Sequence, residues 1–241
     1  MKGVIFGIAP DARIVDISHE VAAFEASEAA FLIAQAYPYF PRKTIHVVVV
    51  DPGVGTSRRP ILMEACGQYF LAPDNGVLTM VANAGKHKAR SITNAKFFLP
   101  AVSGTFHGRD VFAPCAAHLA RGTPAAQFGK LIQDHLRLNL SKPFRSGKRT
   151  WTGTILKIDR FGNLVTNFET AEFSYLDLRP FEMAVGLEKV TRLARNYQEG
   201  RPGEIFLIAG SSGYLEVSLN QGNAAKHLGC GVGAPAELSV W

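Results

Sequence analysis

Five polar segments of this 241-residue chain carry residue types able to do chemistry. The first, AspProGlyValGlyThrSerArgArg (residues 51–59), follows an uninterrupted apolar run. In an open α/β sheet, ligands bind beyond the carboxyl ends of strands, where Asp51 would sit. Gly53 and Gly55 allow a tight turn, and Arg58 is placed to fold back across it. An Asp-Pro-Gly turn with a surface arginine is the plain alternative. The second, SerGlyThrPheHisGlyArgAsp (103–110), leads into a helix. Its N–H groups and Gly108 would make a polar site there, and His107 exchanges protons near neutral pH. The third, 72–79, presents Asp74 and Asn75, either to a ligand or as a turn opening a helix. In 157–167 a hairpin accounts for Gly162 and Asn163 but does not obviously require Asp159. Ser211 and Ser212, in 210–214, form either another hairpin or an anion pocket.

The elements around these segments set the expected fold. Arg13–Ile17 reads as a strand and Glu25–Ala36 as a helix stopped by Pro38. Thr44–Val50 is β-branched without alternation, the pattern of a parallel strand covered on both faces. A strand over Gln68–Ala72 and helices over Val77–Ala84 and Asp110–Arg121 follow. The expectation is an α/β domain over 1–147, a mostly parallel sheet flanked by helices. From 148 to 241 the texture becomes short strand-like runs (152–159, 164–168, 182–185, 204–209, 214–219), suggesting a smaller C-terminal β-barrel domain. One late helix, Gln221–Leu228, would be capped by Asn220 and closed by Gly229.

Composition excludes several classes. With 47% hydrophobic and 19% charged residues the chain is too apolar to be disordered. No apolar run is long enough to span a membrane, and no secretory signal is visible. Lys+Arg exceed Asp+Glu by 26 to 20, a formal charge of +6. The densest basic cluster, Lys142, Arg145, Lys148 and Arg149, reads first as a solvated linker and second as a phosphate-binding patch. No aromatics interleave with basic residues in an RNA-recognition pattern, so no nucleic-acid partner is expected. Three scattered cysteines indicate neither a zinc site nor a disulfide framework; a reducing cytoplasm is the simplest compartment. GlyCysGlyValGlyAla (229–234) matches a dinucleotide fingerprint but lacks the helix and the later acidic residue that the fingerprint requires.

Four motifs in order, ValValAspProGlyValGlyThrSerArgArg (49–59), AlaProAspAsnGly (72–76), ThrPheHisGlyArgAspValPheAlaPro (105–114) and IleAspArgPheGlyAsnLeuValThrAsn (158–167), resemble the S-adenosyl-L-methionine (SAM) hydroxide adenosyltransferases. These are adenosine-forming SAM hydrolases related to fluorinase and chlorinase, and the resemblance runs through the whole chain. It implies an N-terminal α/β domain, a C-terminal β-barrel, and a homotrimer holding SAM or adenosine at subunit interfaces. It implies hydrolysis of SAM to adenosine and L-methionine, with SAM as substrate and neither cofactor nor metal.

By motif, the reactive trio would be Asp51, Arg58 and His107, orienting a water and taking its proton; which of Asp51 and His107 is the base stays open. Asp159, Asn163 and Ser211 would hold the methionine portion, Phe24 would stack on adenine, and Asn220 and Gln221 would offer it backbone groups. Asn75 and Gly108 complete the expected binding set. The resemblance also bears on the alternative of a SAM-dependent halogenase. Fluorinase has no acid at the position of Asp51 and no histidine at that of His107. A carboxylate would repel a halide by about 4 kcal/mol at ~4 Å and an effective dielectric of about 20. A second alternative is an inactive SAM- or adenosine-binding trimer. Family members begin with a strand ending ThrAspPheGly, whose aspartate grips the ribose and which is not found upstream of Met1 here; without it a neighbouring strand edge would be exposed.

Overall fold

The computed structural model describes residues 1–140 and 142–241. They form two compact units, Met1–Leu138 and Asn139–Trp241. Among the described residues no helix is long and apolar enough to cross a membrane.

The first unit contains α1 (Lys2–Ile8), α2 (Ala26–Ala36), β1 (Ile45–Val47), β2 (Pro60–Ala65), β3 (Gln68–Pro73), α3 (Thr79–Asn83), β4 (His87–Ser91), α4 (Ala113–Ala120) and β5 (Leu131–Ile132). The strands lie in the order β1-β3-β2-β4-β5. Only β1 and β3 are parallel; the other three pairings are antiparallel. The expected mostly parallel sheet is therefore corrected to a mostly antiparallel one. Apolar runs report coverage of both faces, and this sheet is covered on both, whatever its strand directions.

Alternation divides the core. Ile61 and Met63 of β2 and Phe70 and Ala72 of β3 join Ala29, Ile33 and Val81 on one face. Leu62 and Leu71 point the other way, to Phe112, Cys115, Leu119 and Phe128. β2 and β3 are joined by Cys66 and Gly67, both at positive φ (52° and 74°), the two-residue turn that matches strand twist. The run Arg13–Ile17, expected as a strand, joins no sheet and is a loop. The expected helix 110–121 is α4 preceded by a π-helical turn over Gly108–Phe112. Pro114 has no N–H for the carbonyl of Asp110, which accepts from Leu99 N instead (2.9 Å).

The second unit contains β6 (Phe144–Arg145), β7 (Thr150–Ile158), β8 (Leu164–Glu169), β9 (Phe181–Val185), β10 (Glu188–Val190), β11 (Leu193–Ala194), β12 (Ile205–Ala209), β13 (Tyr214–Leu219), α5 (Ala224–Leu228) and β14 (Pro235–Val240). Their order is β10-β9-β14-β7-β8-β13-β12-β11, with β6 also on β7. The amino-terminal half of β7 pairs with β14 and β6, and its carboxyl-terminal half with β8. That exchange of partners curls the sheet around Phe168, Met183, Leu207, Val217 and Leu238. Among the described residues no ladder joins β10 to β11, so a curled, open sheet replaces the expected closed barrel. The late helix begins three residues after the expected start; its cap is Asn223, which accepts from Lys226 N (2.8 Å), and Gly229 closes it at φ 62°.

Candidate functional site

Within the first unit, the chain leaves β1 extended through Val50, and Asp51 opens two successive turns. Val54 N donates to Asp51 O (3.3 Å), and Thr56 N and Oγ1 to Gly53 O (3.2 and 2.7 Å). Thr56 Oγ1 then receives Arg58 N (3.3 Å), and the guanidinium is carried back over Asp51. Arg58 Nε donates to Asp51 Oδ1 (2.8 Å) and Nη2 to Asp51 Oδ2, a fork-to-carboxylate pair whose side chains are only 7% and 6% exposed. Nη2 also donates to His107 Nδ1 (2.9 Å). A guanidinium has no acceptor, so Nδ1 supplies the lone pair and the neutral ring carries its proton on Nε2. The Phe112 ring lies 5.5 Å from the Arg58 guanidinium carbon. Among the described residues, Arg58 Nη1 is buried with no hydrogen-bond partner. A buried donor of this kind offers a hydrogen bond to whatever small polar group enters the cluster.

Several contacts hold the two loops together. Gly55 has φ +76°, and a Cβ there would fall 2.1 Å from the Gly104 carbonyl oxygen, so this glycine lets loop 51–59 press against loop 103–107. The carboxylate of Asp110, fully buried, accepts from Ser103 N (2.8 Å) and pairs with Arg109 (2.6 Å). The Arg109 guanidinium beside it holds the Asp110 carboxyl well below the usual carboxylate range, opposed by burial and aided by Ser103. Asn75 Nδ2 donates to Val50 O (2.8 Å), fixing the backbone just before Asp51, while its Oδ1 accepts from Val77 N (3.2 Å). Gly108 faces Met1 and Val49, where a Cβ would lie 3.2 and 3.5 Å from the nearest atoms. The adjacent Arg59 turns away to Asp74 (2.7 Å) and Asp134 (3.1 Å). Phe24, also at positive φ (71°), keeps its ring 72% exposed and outside the cluster's contacts.

Within the second unit, Asp159 builds the turn between β7 and β8. Its Oδ1 accepts from Phe161 N and Asn163 N (both 2.8 Å), and its Oδ2 from Asn163 Nδ2 (2.8 Å). Gly162, at φ +89°, lies against Asn223 of the α5 cap. Ser211 is exposed in the turn between β12 and β13. Beneath it, buried Glu216 accepts from Ser212 Oγ (3.3 Å), and burial raises its carboxyl above the ordinary range, with Asp159 adding to the rise. Asn220 Nδ2 donates to Gly200 O, and Gln221 follows at φ 56°.

Descriptions of the SAM hydroxide adenosyltransferase N-terminal and C-terminal domains match residues 1–129 and 153–237. The chain belongs to the SAM hydroxide adenosyltransferase family. An (R)-S-adenosyl-L-methionine hydrolase of Salinispora tropica is 36% identical over 230 residues, covering 94% of this chain and 86% of its own. The hydrolase of the same name from Thermus thermophilus is 33% identical, covering 99% and 92%. A fluorinase from an Actinoplanes species is 28% identical, covering 91% and 85%. The crystal structure of an uncharacterized conserved protein from Thermotoga maritima superposes with a TM-score of 0.91 at 37% identity, covering 99% and 93%.

In this SAM hydroxide adenosyltransferase, sequence reasoning missed three contributors to the cluster. Asp110 reads as an acidic first helical turn, yet it clamps the loop that carries His107. Gly55 reads as freedom for a tight turn, yet it also admits the close approach of Gly104. Phe112 is marked only as part of the 105–114 motif, yet its ring packs against the Arg58 guanidinium. Glu216 was likewise unnoticed, a charged residue in an apolar strand, which was the one available signal.

Proposed function

We propose that this chain hydrolyses SAM to adenosine and L-methionine. The observation that carries the reading is the buried fork of Arg58, which joins Asp51 to His107 and leaves Nη1 unpartnered. Water attacks ribose C5′ in line with the C5′–S bond. The C–O bond forms as the C–S bond breaks, its electron pair returns to sulfur as a neutral thioether, and the water loses one proton. With Nδ1 of His107 engaged by Arg58, the neutral ring offers a donor at Nε2, so His107 orients the water and Asp51 accepts the proton. Arg58 holds both groups in place and contributes Nη1 to the developing hydroxide.

Asp159, Asn163 and Ser211 are proposed to receive the methionine portion. Three of the roughly four acceptor sites of the Asp159 carboxylate are used within its own turn, leaving one for an ammonium group. Phe24, which is exposed, is proposed to stack on adenine, and Asn220 and Gln221 to offer it backbone groups; Asn75 and Gly108 shape the loops around the reacting atoms. The assembly is proposed to be a cytoplasmic homotrimer with sites at subunit interfaces, and the chemistry to need no metal or cofactor.

The test incubates purified protein with SAM in chloride-containing buffer and separates the products by chromatography. Adenosine and methionine in equal amounts are expected, unchanged by a chelator. 5′-Chloro-5′-deoxyadenosine growing with chloride would replace hydrolase by halogenase, and calorimetric binding without turnover would leave a binding protein.

A further inference from the structure

At the other end of β7 from Asp159 lies a cavity of about 480 Å³, within the range of small-molecule sites. A strand of nine residues separates the two ends by about 25–30 Å. Four cations line it: Arg145, Lys148, Arg149 and Arg179. No acidic side chain does, and among the described residues Lys148, Arg149 and Arg179 have no ion-pair partner. Lys142, the remaining cation of the same run, is paired with Glu169 and Glu172 (3.6 and 3.7 Å) and stays outside the lining. Uncompensated like charge gathered on one concave surface favours an anion there.

The walls are aromatic. The Arg145 guanidinium lies over Trp151 (5.6 Å) and that of Arg179 over Tyr175 (5.8 Å). Core Phe173 buttresses both rings, edge-on to Trp151 at 5.7 Å and tilted against Tyr175 at 6.1 Å. Arg145 is further fixed by donating Nε to Gly147 O (3.1 Å) and Nη2 to Lys148 O. Val240 N ties β14 to Arg149 O (2.9 Å), and the Trp241 ring beyond it remains 52% exposed. A phosphate alone would leave most of this volume, and the exposed Trp241, unused. Guanidinium and ammonium groups suit phosphate oxygens, while flat rings suit a base.

We propose that this cavity binds a free nucleoside polyphosphate, with the phosphates among Lys148, Arg149 and Arg179 and the base against the tryptophans. The site is separate from the proposed SAM chemistry and does not depend on it.

The chain has two tryptophans, Trp151 and Trp241, and both line the cavity, so intrinsic fluorescence reports its occupancy directly. ATP, ADP, AMP, adenosine and inorganic tripolyphosphate are titrated into the intact protein at low salt. Saturable quenching in the order ATP, ADP, AMP is expected, with none from adenosine. Arg149→Gln and Arg179→Gln should each weaken ATP about tenfold, the loss of one charged hydrogen-bonding partner, at unchanged melting temperature. Absence of quenching by ATP overturns the proposal. So does tripolyphosphate binding as tightly as ATP, a single-stranded oligonucleotide binding more tightly, or either variant binding ATP as wild type does.

Discussion

Replacing Arg58 by Met strips two N–H donors from a carboxylate that is 6% exposed and removes the link to His107. Taking one partner from a buried ion pair costs about 3–5 kcal/mol, because the remaining charge stays desolvated and unpaired. In a unit of the size of Met1–Leu138, each kcal/mol lowers the melting temperature by about 3–4 °C, so a fall of roughly 10–20 °C is expected. Much of that cost belongs to the stranded Asp51 carboxylate. Asp51→Asn added to Arg58→Met should therefore recover about 1–3 kcal/mol relative to the sum of the two single substitutions. Arg58→Lys keeps the charge but gives up the fork, and one ammonium group cannot reproduce the paired bonds to Asp51 together with the bond to His107. The Lys variant should thus fold more stably than the Met variant, yet lose about 10²–10⁴-fold in turnover with its orienting geometry. Thermal melts and initial rates of adenosine formation for the four proteins of the cycle and for Arg58→Lys measure both quantities. Additive melting shifts would refute the coupling, and wild-type turnover in Arg58→Lys would refute the role given to the fork.

Gly55→Ala adds a methyl 2.1 Å from the Gly104 carbonyl oxygen at φ +76°, so the loops must separate. Stability should fall beyond the about 1–2 kcal/mol of a left-handed non-glycine residue, and turnover with it; a melt and a rate equal to wild type would show that the loops need not touch. Asp110→Asn should destabilise the first unit in a pH-dependent way. The depressed carboxyl of Asp110 contributes stability above the ordinary carboxylate range near ~4 and loses it as pH falls through its lower folded value. The melting gap between wild type and variant should accordingly be widest at neutral pH and close progressively in acid; a pH-independent gap would exclude the ionised carboxylate as the clamp. Because the clamp holds the His107 loop, turnover should fall more than SAM affinity.

The chemistry-bearing residues were legible from the chain alone because short-range requirements mark them. Asp51, Gly53 and Arg58 sit within one loop whose turns need those residue types, and Asp159 with Asn163 closes a turn through bonds spanning four residues. The hairpin reading still left Asp159 without a purpose, whereas its carboxylate organises the turn. Helix α2 and the central strands were readable from period and from Pro38. Strand direction was legible only for β1, whose uninterrupted apolar run pairs in parallel with β3 as expected; the remaining strands pair antiparallel, and since burial is silent on which neighbour a strand pairs with, a mostly antiparallel sheet read as mostly parallel. β2 escaped notice because its connection to β3 runs through Cys66-Gly67 and carries no Asn-Gly signal. The meeting of Arg58 with His107, 49 residues apart, was set by loop packing through Gly55 and Gly104, and the cavity of Arg149 and Arg179 by the stacking of β7, β14 and the turn at Tyr175. Local sequence dictates which groups a segment can offer and how it turns. Which distant groups face one another depends on pairing and close contact across the fold, and those are decided only when the whole unit packs.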